Sequence, residues 1–146
     1  MAEEAEFDFG DNVDTSTFEQ ILDMDEGEEE GGHEFSKSIV FGFLDQAETT
    51  FVKMDAAKKK GDLPELSSLG HFLKGSSATL GFTKVKEECE KIQHYGQNKD
   101  ESGVHDEDDD EKCLKLIGQS IEKAQIAYRT IKKLMEDYYA KLEEGG

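Results

Sequence analysis

Tryptophan is absent from this chain, proline occurs once (Pro64), and there are only two cysteines. A single proline in 146 residues favours long uninterrupted helices, because each proline removes an amide donor and clashes with the preceding turn. Cys89 and Cys113 stand alone without C-x-x-C spacing, as expected in a reducing compartment. No apolar run approaches the roughly 18 residues of a membrane span, and the N-terminus has neither the basic nor the apolar stretch of a secretory signal. The expected location is the cytoplasm, with the nucleus open to it. The length suits one domain.

Basic residues are missing from two segments. Residues 1–34 hold 14 acidic side chains and no lysine or arginine, and residues 100–111 hold eight more. The net charge of −18 therefore resides in these two segments, while the rest carries 13 acids against 17 bases. Acidic segments repel phosphate backbones, so nucleic-acid binding is not expected. Runs of this kind read as solvated chain. Residues 1–16 are expected to be a disordered acidic N-terminus, followed by one domain over 17–144 with flexible acidic segments at 25–33 and 97–111.

Within that domain the apolar residues fall at helical spacing. Phe18, Ile21 and Leu22 mark one face of a short helix. From Phe35 onward, Val40, Leu44, Ala47, Phe51 and Met54 alternate steps of four and three, widened by Ile39 and Phe43. Lys58, Lys59 and Lys60 suit the negative end of that helix, and Gly61 suits its cap. Asp62 with Glu65 three residues later reads as a capping-box-like start, and Pro64 is tolerated in a first turn. The next helix should run from Leu63 to Leu80 with Leu69, Phe72, Leu73, Ser76 and Leu80 inward, ending at Gly81. A further helix starts near Thr83, buries Val85, Cys89 and Ile92, and stops near Gly96. In the last helix Ile117, Ile121, Ala124, Tyr128, Ile131, Met135, Tyr138 and Leu142 keep the four–three alternation throughout. The fold class is all-α: an antiparallel four-helix bundle with a short additional N-terminal helix.

One segment breaks the helical rules. Gly75 falls in mid-helix, where glycine costs roughly 1 kcal/mol relative to alanine. It lies four positions after His71, and Lys74 lies three after it, so the three share an exposed face. An exposed imidazole is mostly unprotonated and nucleophilic near neutrality. The missing side chain at Gly75 clears space beside the ring, and Lys74 offers a cation to phosphate oxygens. Such a patch suits a covalent phosphohistidine. It equally describes an inert surface histidine beside a glycine that permits helix packing, and the residues alone leave both open.

The run His71-Phe-Leu-Lys-Gly-Ser-Ser-Ala-Thr-Leu-Gly81 resembles the active-site helix of histidine-containing phosphotransfer (HPt) proteins at eleven consecutive positions. Cys89-Glu-Lys-Ile-Gln93 with Gly96 is similar to the following helix of fungal phosphorelay intermediates. Outside residues 69–97 the likeness rests on helix order. The resemblance implies that His71 is phosphorylated through Nε2, that Lys74 stabilises the phosphoryl group, that Gly75 keeps the site open and that Gln93 orients the imidazole. Fungal relatives can carry a basic residue where this chain has Gln97, so a second cation is missing from that place. The implied partners are the receiver domain of a hybrid sensor histidine kinase and the receiver domains of response regulators, met by a monomeric carrier without autonomous turnover. The chain itself would bind no cofactor, and Mg²⁺ would come with the receiver. Fungal members commonly serve osmotic or oxidative stress signalling. Phe18, Ile21 and Leu22 are candidate docking residues.

Other residues carry less. His33 and His105 sit in acidic segments without metal-ligand spacing, and His94 is expected to project from its helix. Ser76 and Ser77 lack an acid–base constellation, and Cys89 reads as core. The rival function is a helical adaptor without phosphotransfer, assembling through the seam of the last helix.

Overall fold

The computed structural model describes residues 9–27 and 33–145. The expected linker over 28–32 and the first eight residues lie outside that range. Five α-helices follow one another: α1 (Thr15–Asp23), α2 (Glu34–Lys60), α3 (Leu63–Leu80), α4 (Thr83–Gly96) and α5 (Asp110–Gly145). Single 3₁₀ turns over Gly10–Asn12 and Met24–Gly27 flank α1. Contacts run α2 to α3, α3 to α4, α4 to α5 and α5 back to α2, the four sides of an antiparallel bundle. Among the described residues no helix is long and apolar enough to cross a membrane.

Local chemistry sets the boundaries. Gly61 closes α2 in the left-handed conformation (φ 70°), and the Asp62 carboxylate accepts from the Glu65 amide at 3.1 Å to open α3. Gly81 closes α3 (φ 80°), and a Cβ there would stand 2.6 Å from the Asp14 carbonyl, so the start of α1 rests directly on the α3–α4 turn. The expected seams of α2 and α5 are buried, with Leu142 only partly so. Because the α5 seam is spent inside the bundle, it is not available for assembly with other chains.

Of the N-terminal segment expected to be disordered, the described residues 9–16 rest on the bundle. Phe9 and Val13 are buried, and Phe9 packs against Phe18 and Tyr138 at ring separations of 5.6 and 5.3 Å. The Asp14 amide donates to the Gly81 carbonyl at 2.6 Å, and Lys84 pairs with Asp11. Two large apolar side chains suffice to hold this segment on the bundle, although they are too few to show a period.

At the other acidic segment, Asp25 is buried and accepts from the Ser36 amide at 2.9 Å and the Ser36 hydroxyl at 2.5 Å. Ser36 Oγ also lies 2.7 Å from the Tyr139 hydroxyl. Asp25 therefore works as a remote cap for the first turn of α2. Residues 97–109 likewise form a closed loop. Asp100 donates its amide to the His105 carbonyl, Glu107 to the Asn98 carbonyl, and Lys99 pairs with Asp106 at 2.6 Å. His94 anchors the loop, its Nδ1–H donating to the Glu101 carbonyl at 2.8 Å while the ring covers Gly103.

Candidate functional site

The site is built on α3 where that helix meets α4. The inward row of α3 is Leu66, Gly70, Leu73, Ser77 and Leu80, all buried. Of the expected inward residues, Leu73 and Leu80 are there. Leu69 and Ser76 are half-buried, and Phe72 is 47% exposed. The difference has a steric cause at Gly70. A Cβ at Gly70 would stand 2.8 Å from the Cys89 carbonyl and 2.9 Å from the Gln93 amide nitrogen. Lacking one, α3 turns this position onto α4 and lifts Phe72 to the surface.

His71 follows Gly70 and is exposed. A helical side chain leans toward the N-terminus of its helix, so Lys74 leans back over position 71 from one turn further on. Lys74 is half-buried and forms no ion pair among the described residues. A side chain at position 75 would lean the same way. Gly75 has none, and a Cβ built there meets nothing within 4 Å. Open space therefore adjoins the imidazole on its C-terminal side.

Gln93 enters from α4 with its backbone level with Gly70. Its Oε1 is buried and has no hydrogen-bond partner. No hydrogen bond joins it to His71. The structure thus places an exposed imidazole, a lysine without an ion pair among the described residues and a cleared surface on one face of α3, with the backbone of Gln93 against the neighbouring Gly70. An exposed ring beside a cation and open space has the chemistry of a nucleophile toward an anionic group.

The other candidates take structural places. Phe18 and Ile21 are buried, Phe18 lying among Phe9, Phe82 and Tyr138, so neither can present a docking surface. Only Leu22 of that trio keeps partial exposure. Ser77 Oγ donates to the Leu73 carbonyl at 2.6 Å and Ser76 Oγ to the Phe72 carbonyl at 3.3 Å, which ties both hydroxyls to their own helix. Cys89 is fully buried, and burial pushes its thiol up to about 12, so it is inert. His33 Nδ1 stands 4.0 Å from the Asp25 carboxylate. Among the described residues no group of three or more His, Cys, Asp or Glu side chains is arranged to hold a metal ion. Phe72 is the surface residue that periodicity missed. Its place beside His71 was the available signal.

Comparison with known proteins agrees with this geometry. The Hpt domain model matches residues 39–139. Over 129 residues the chain is 45% identical to multistep phosphorelay regulator 1 of Schizosaccharomyces pombe, covering 88% of this chain and 43% of that protein. It is 52% identical over 84 residues to phosphorelay intermediate protein YPD1 of Candida albicans, covering 58% of this chain and 44% of that one. The chain thus spans less than half the length of these two relatives. Among solved structures, Saccharomyces cerevisiae Ypd1, crystallised with the receiver domain of its downstream response regulator Ssk1, superposes with a TM-score of 0.75 at 30% identity. That match covers 88% of this chain and 95% of the other.

Proposed function

This chain belongs to the Hpt domain family, and on that premise we propose that it is a phosphorelay carrier that holds a phosphoryl group on His71 between two receiver domains. The observation that carries the reading is the exposed imidazole of His71 beside the empty surface at Gly75. A reactive ring on a convex helix face needs a concave partner, and a receiver domain supplies one.

The step asks little covalent work of the carrier. Phosphoryl transfer depends mainly on in-line placement and on neutralising charge on the equatorial oxygens. The lone pair of His71 Nε2 attacks phosphorus of an aspartyl phosphate, the acyl P–O bond breaks, and the partner's carboxylate leaves. Positive charge develops on the ring and spreads to Nδ1–H. Gln93 Oε1, a buried acceptor without a donor, is the group we assign to that N–H. This bond would fix the tautomer that leaves Nε2 free to attack. Lys74 Nζ meets the phosphoryl oxygens. Mg²⁺ is assigned to the receiver, whose carboxylates suit it. Reversal of the same displacement onto a second receiver aspartate empties the carrier. Because His71 gains the phosphoryl group in one step and loses it in the other, the chain is a reactant of both transfers and has no turnover of its own.

Docking is assigned to the uncharged residues around His71, chiefly Phe72. A relay of this kind places the carrier in the cytoplasm, and in the nucleus where its regulator acts there.

The test is transfer from a phosphorylated receiver domain to wild type and to His71→Gln. Acid-labile, alkali-stable label on wild type alone is expected. Equal labelling of both proteins would overturn the assignment to His71.

A further inference from the structure

A buried polar side chain costs free energy unless it is hydrogen-bonded, so each one needs a partner or a task. Among the described residues the buried polar side chains are Asp25, Ser36, Thr50, Ser67, Ser77 and Ser120. Asp25 and Ser36 bond to each other. Thr50 and Ser77 donate to the carbonyls four residues back, those of Gln46 and Leu73, at 2.7 and 2.6 Å. Ser67 and Ser120 remain, and neither side chain makes a hydrogen bond among the described residues. Ser120 belongs to α5. Ser67 lies on α3, one turn before His71.

Ser67 is also the exception on its own helix. Ser76, Ser77 and Thr79 each turn the hydroxyl onto the carbonyl four residues back, at 3.3, 2.6 and 3.1 Å. For Ser67 that carbonyl belongs to Leu63, and Gly96 of α4 packs against it. A Cβ on Gly96 would stand 2.7 Å from the Leu63 oxygen and 2.8 Å from the Ser67 Cβ. Glycine at 96 thus makes room for the Ser67 side chain, while α4 crowds the bond that the other hydroxyls of α3 make. The same helix crossing holds an acceptor without a donor. Gln93 is three residues before Gly96, on the same face of α4, and its Oε1 is buried and unbonded. The backbone of Gln93 adjoins Gly70 as that of Gly96 adjoins Ser67, so the turn of α3 that ends at His71 faces the last turn of α4.

We infer that Ser67 is a positioning residue for the transfer: its hydroxyl donates to Gln93 Oε1 and holds that amide beside His71. This rests on the phosphotransfer reading above. An unengaged donor and an unengaged buried acceptor stand on facing turns, and one bond satisfies both. Forming it needs only side-chain rotation, since neither group is bonded elsewhere. A carbonyl oxygen has two lone pairs, so Oε1 can take the Ser67 proton and the His71 Nδ1–H together. The imidazole leans back toward the N-terminal end of α3, over Ser67, which brings the three groups to one place. A glutamine side chain turns about several torsions, and ordering it costs entropy. With Ser67 holding the amide, that ordering precedes the arrival of the receiver.

The experiment compares wild type, Ser67→Ala, Gln93→Ala, the double variant and Ser68→Ala, using a phosphorylated receiver domain that loads the wild type. Ser68 is the control, an exposed serine at the next position of the same helix. Ser67→Ala removes a hydroxyl that bonds nothing else, so its Tm should stay near that of the wild type. Its loading should slow about two- to tenfold, the range expected for one hydrogen bond, while Ser68→Ala loads as the wild type does. Added to Gln93→Ala, Ser67→Ala should change nothing further, because Ser67 acts only through that amide. Nitrogen-15 NMR of the imidazole, which needs no receiver, should find less of the proton on Nδ1 in Ser67→Ala than in the wild type. Loading of Ser67→Ala at the wild-type rate, or effects of the two substitutions that multiply, would overturn this inference and leave the phosphotransfer reading intact. Failure of every tested receiver to load wild-type His71 would overturn that reading, and this inference with it.

Discussion

Gly70 and Gln93 meet backbone to backbone: a Cβ on Gly70 would stand 2.9 Å from the Gln93 amide nitrogen. The contact does two things at once. It sets the depth at which α3 packs on α4, and it places the side chain assigned to orient the imidazole one residue from His71. Replacing Gly70 by alanine must therefore push the helices apart or bend one of them. Overpacking of this kind costs about 1–3 kcal/mol. Gly70→Ala should lower stability by that amount in denaturant unfolding and should slow loading of His71 beyond the effect of instability alone. A variant that loads at the wild-type rate while folded would show that the α3–α4 spacing does not matter to the chemistry.

Gly75→Gln should behave in the opposite way. No neighbour resists the new side chain, and the helix gains by losing a glycine, so stability should hold or rise by up to about 1 kcal/mol. The added amide leans toward His71 and occupies the space the phosphoryl group needs. Transfer rates should fall while Tm does not. Fast transfer by a well-folded Gly75→Gln protein would refute the steric account.

The extent to which the chain announces its fold follows from how many residues repeat a signal. α5 repeats its four–three step seven times, and α2 four times, so both cores were legible. The capping of α3 by Asp62 and the glycines that end α2 and α3 were legible because one residue type performs one local task. The rotation of α3 was not. Leu69, Phe72, Leu73 and Ser76 make as good an apolar row as Leu66, Gly70, Leu73 and Ser77, and only the absent Cβ of Gly70 against α4 decides between them. His71, Lys74 and Gly75 survive that rotation because their mutual spacing does not depend on which row faces inward. Phe18 and Ile21 form the apolar face that their spacing indicates, but a covered one, and nothing local tells whether such a face is free.

Phe9 is the simplest test of that last point. Its ring closes the aromatic layer formed with Phe18 and Tyr138, and both its neighbours are buried. Removing a buried phenylalanine side chain costs about 3–5 kcal/mol, with the lower end expected at the edge of a core. Phe9→Ala should therefore lower unfolding stability by about 3 kcal/mol. A change within about 0.5 kcal/mol, the range of ordinary surface substitutions, would mean that the segment before α1 is not part of the cooperative fold.

Alkali should unfold this protein through three buried groups. Burial raises the Cys89 thiol from 9.0 to about 12. It also raises the Tyr128 hydroxyl, helped by the hydrogen bond to Glu48, and raises the Tyr139 hydroxyl against the opposing effect of Ser36. Each group is neutral when protonated, so the folded state holds its proton to higher pH than the unfolded chain does. Their stabilising contributions are complete below the unfolded-state values. They are lost as pH rises, for Cys89 between about 9 and 12. Denaturant midpoints measured from pH 8 upward should therefore fall, and native Cys89 should resist alkylation until the protein unfolds. Cys89→Ala begins from lower stability because it opens a cavity, so its slope against pH is the informative quantity. A slope shallower than wild type between pH 9 and 12 is expected, and an unchanged slope would show that the buried thiol does not contribute to the alkaline limit.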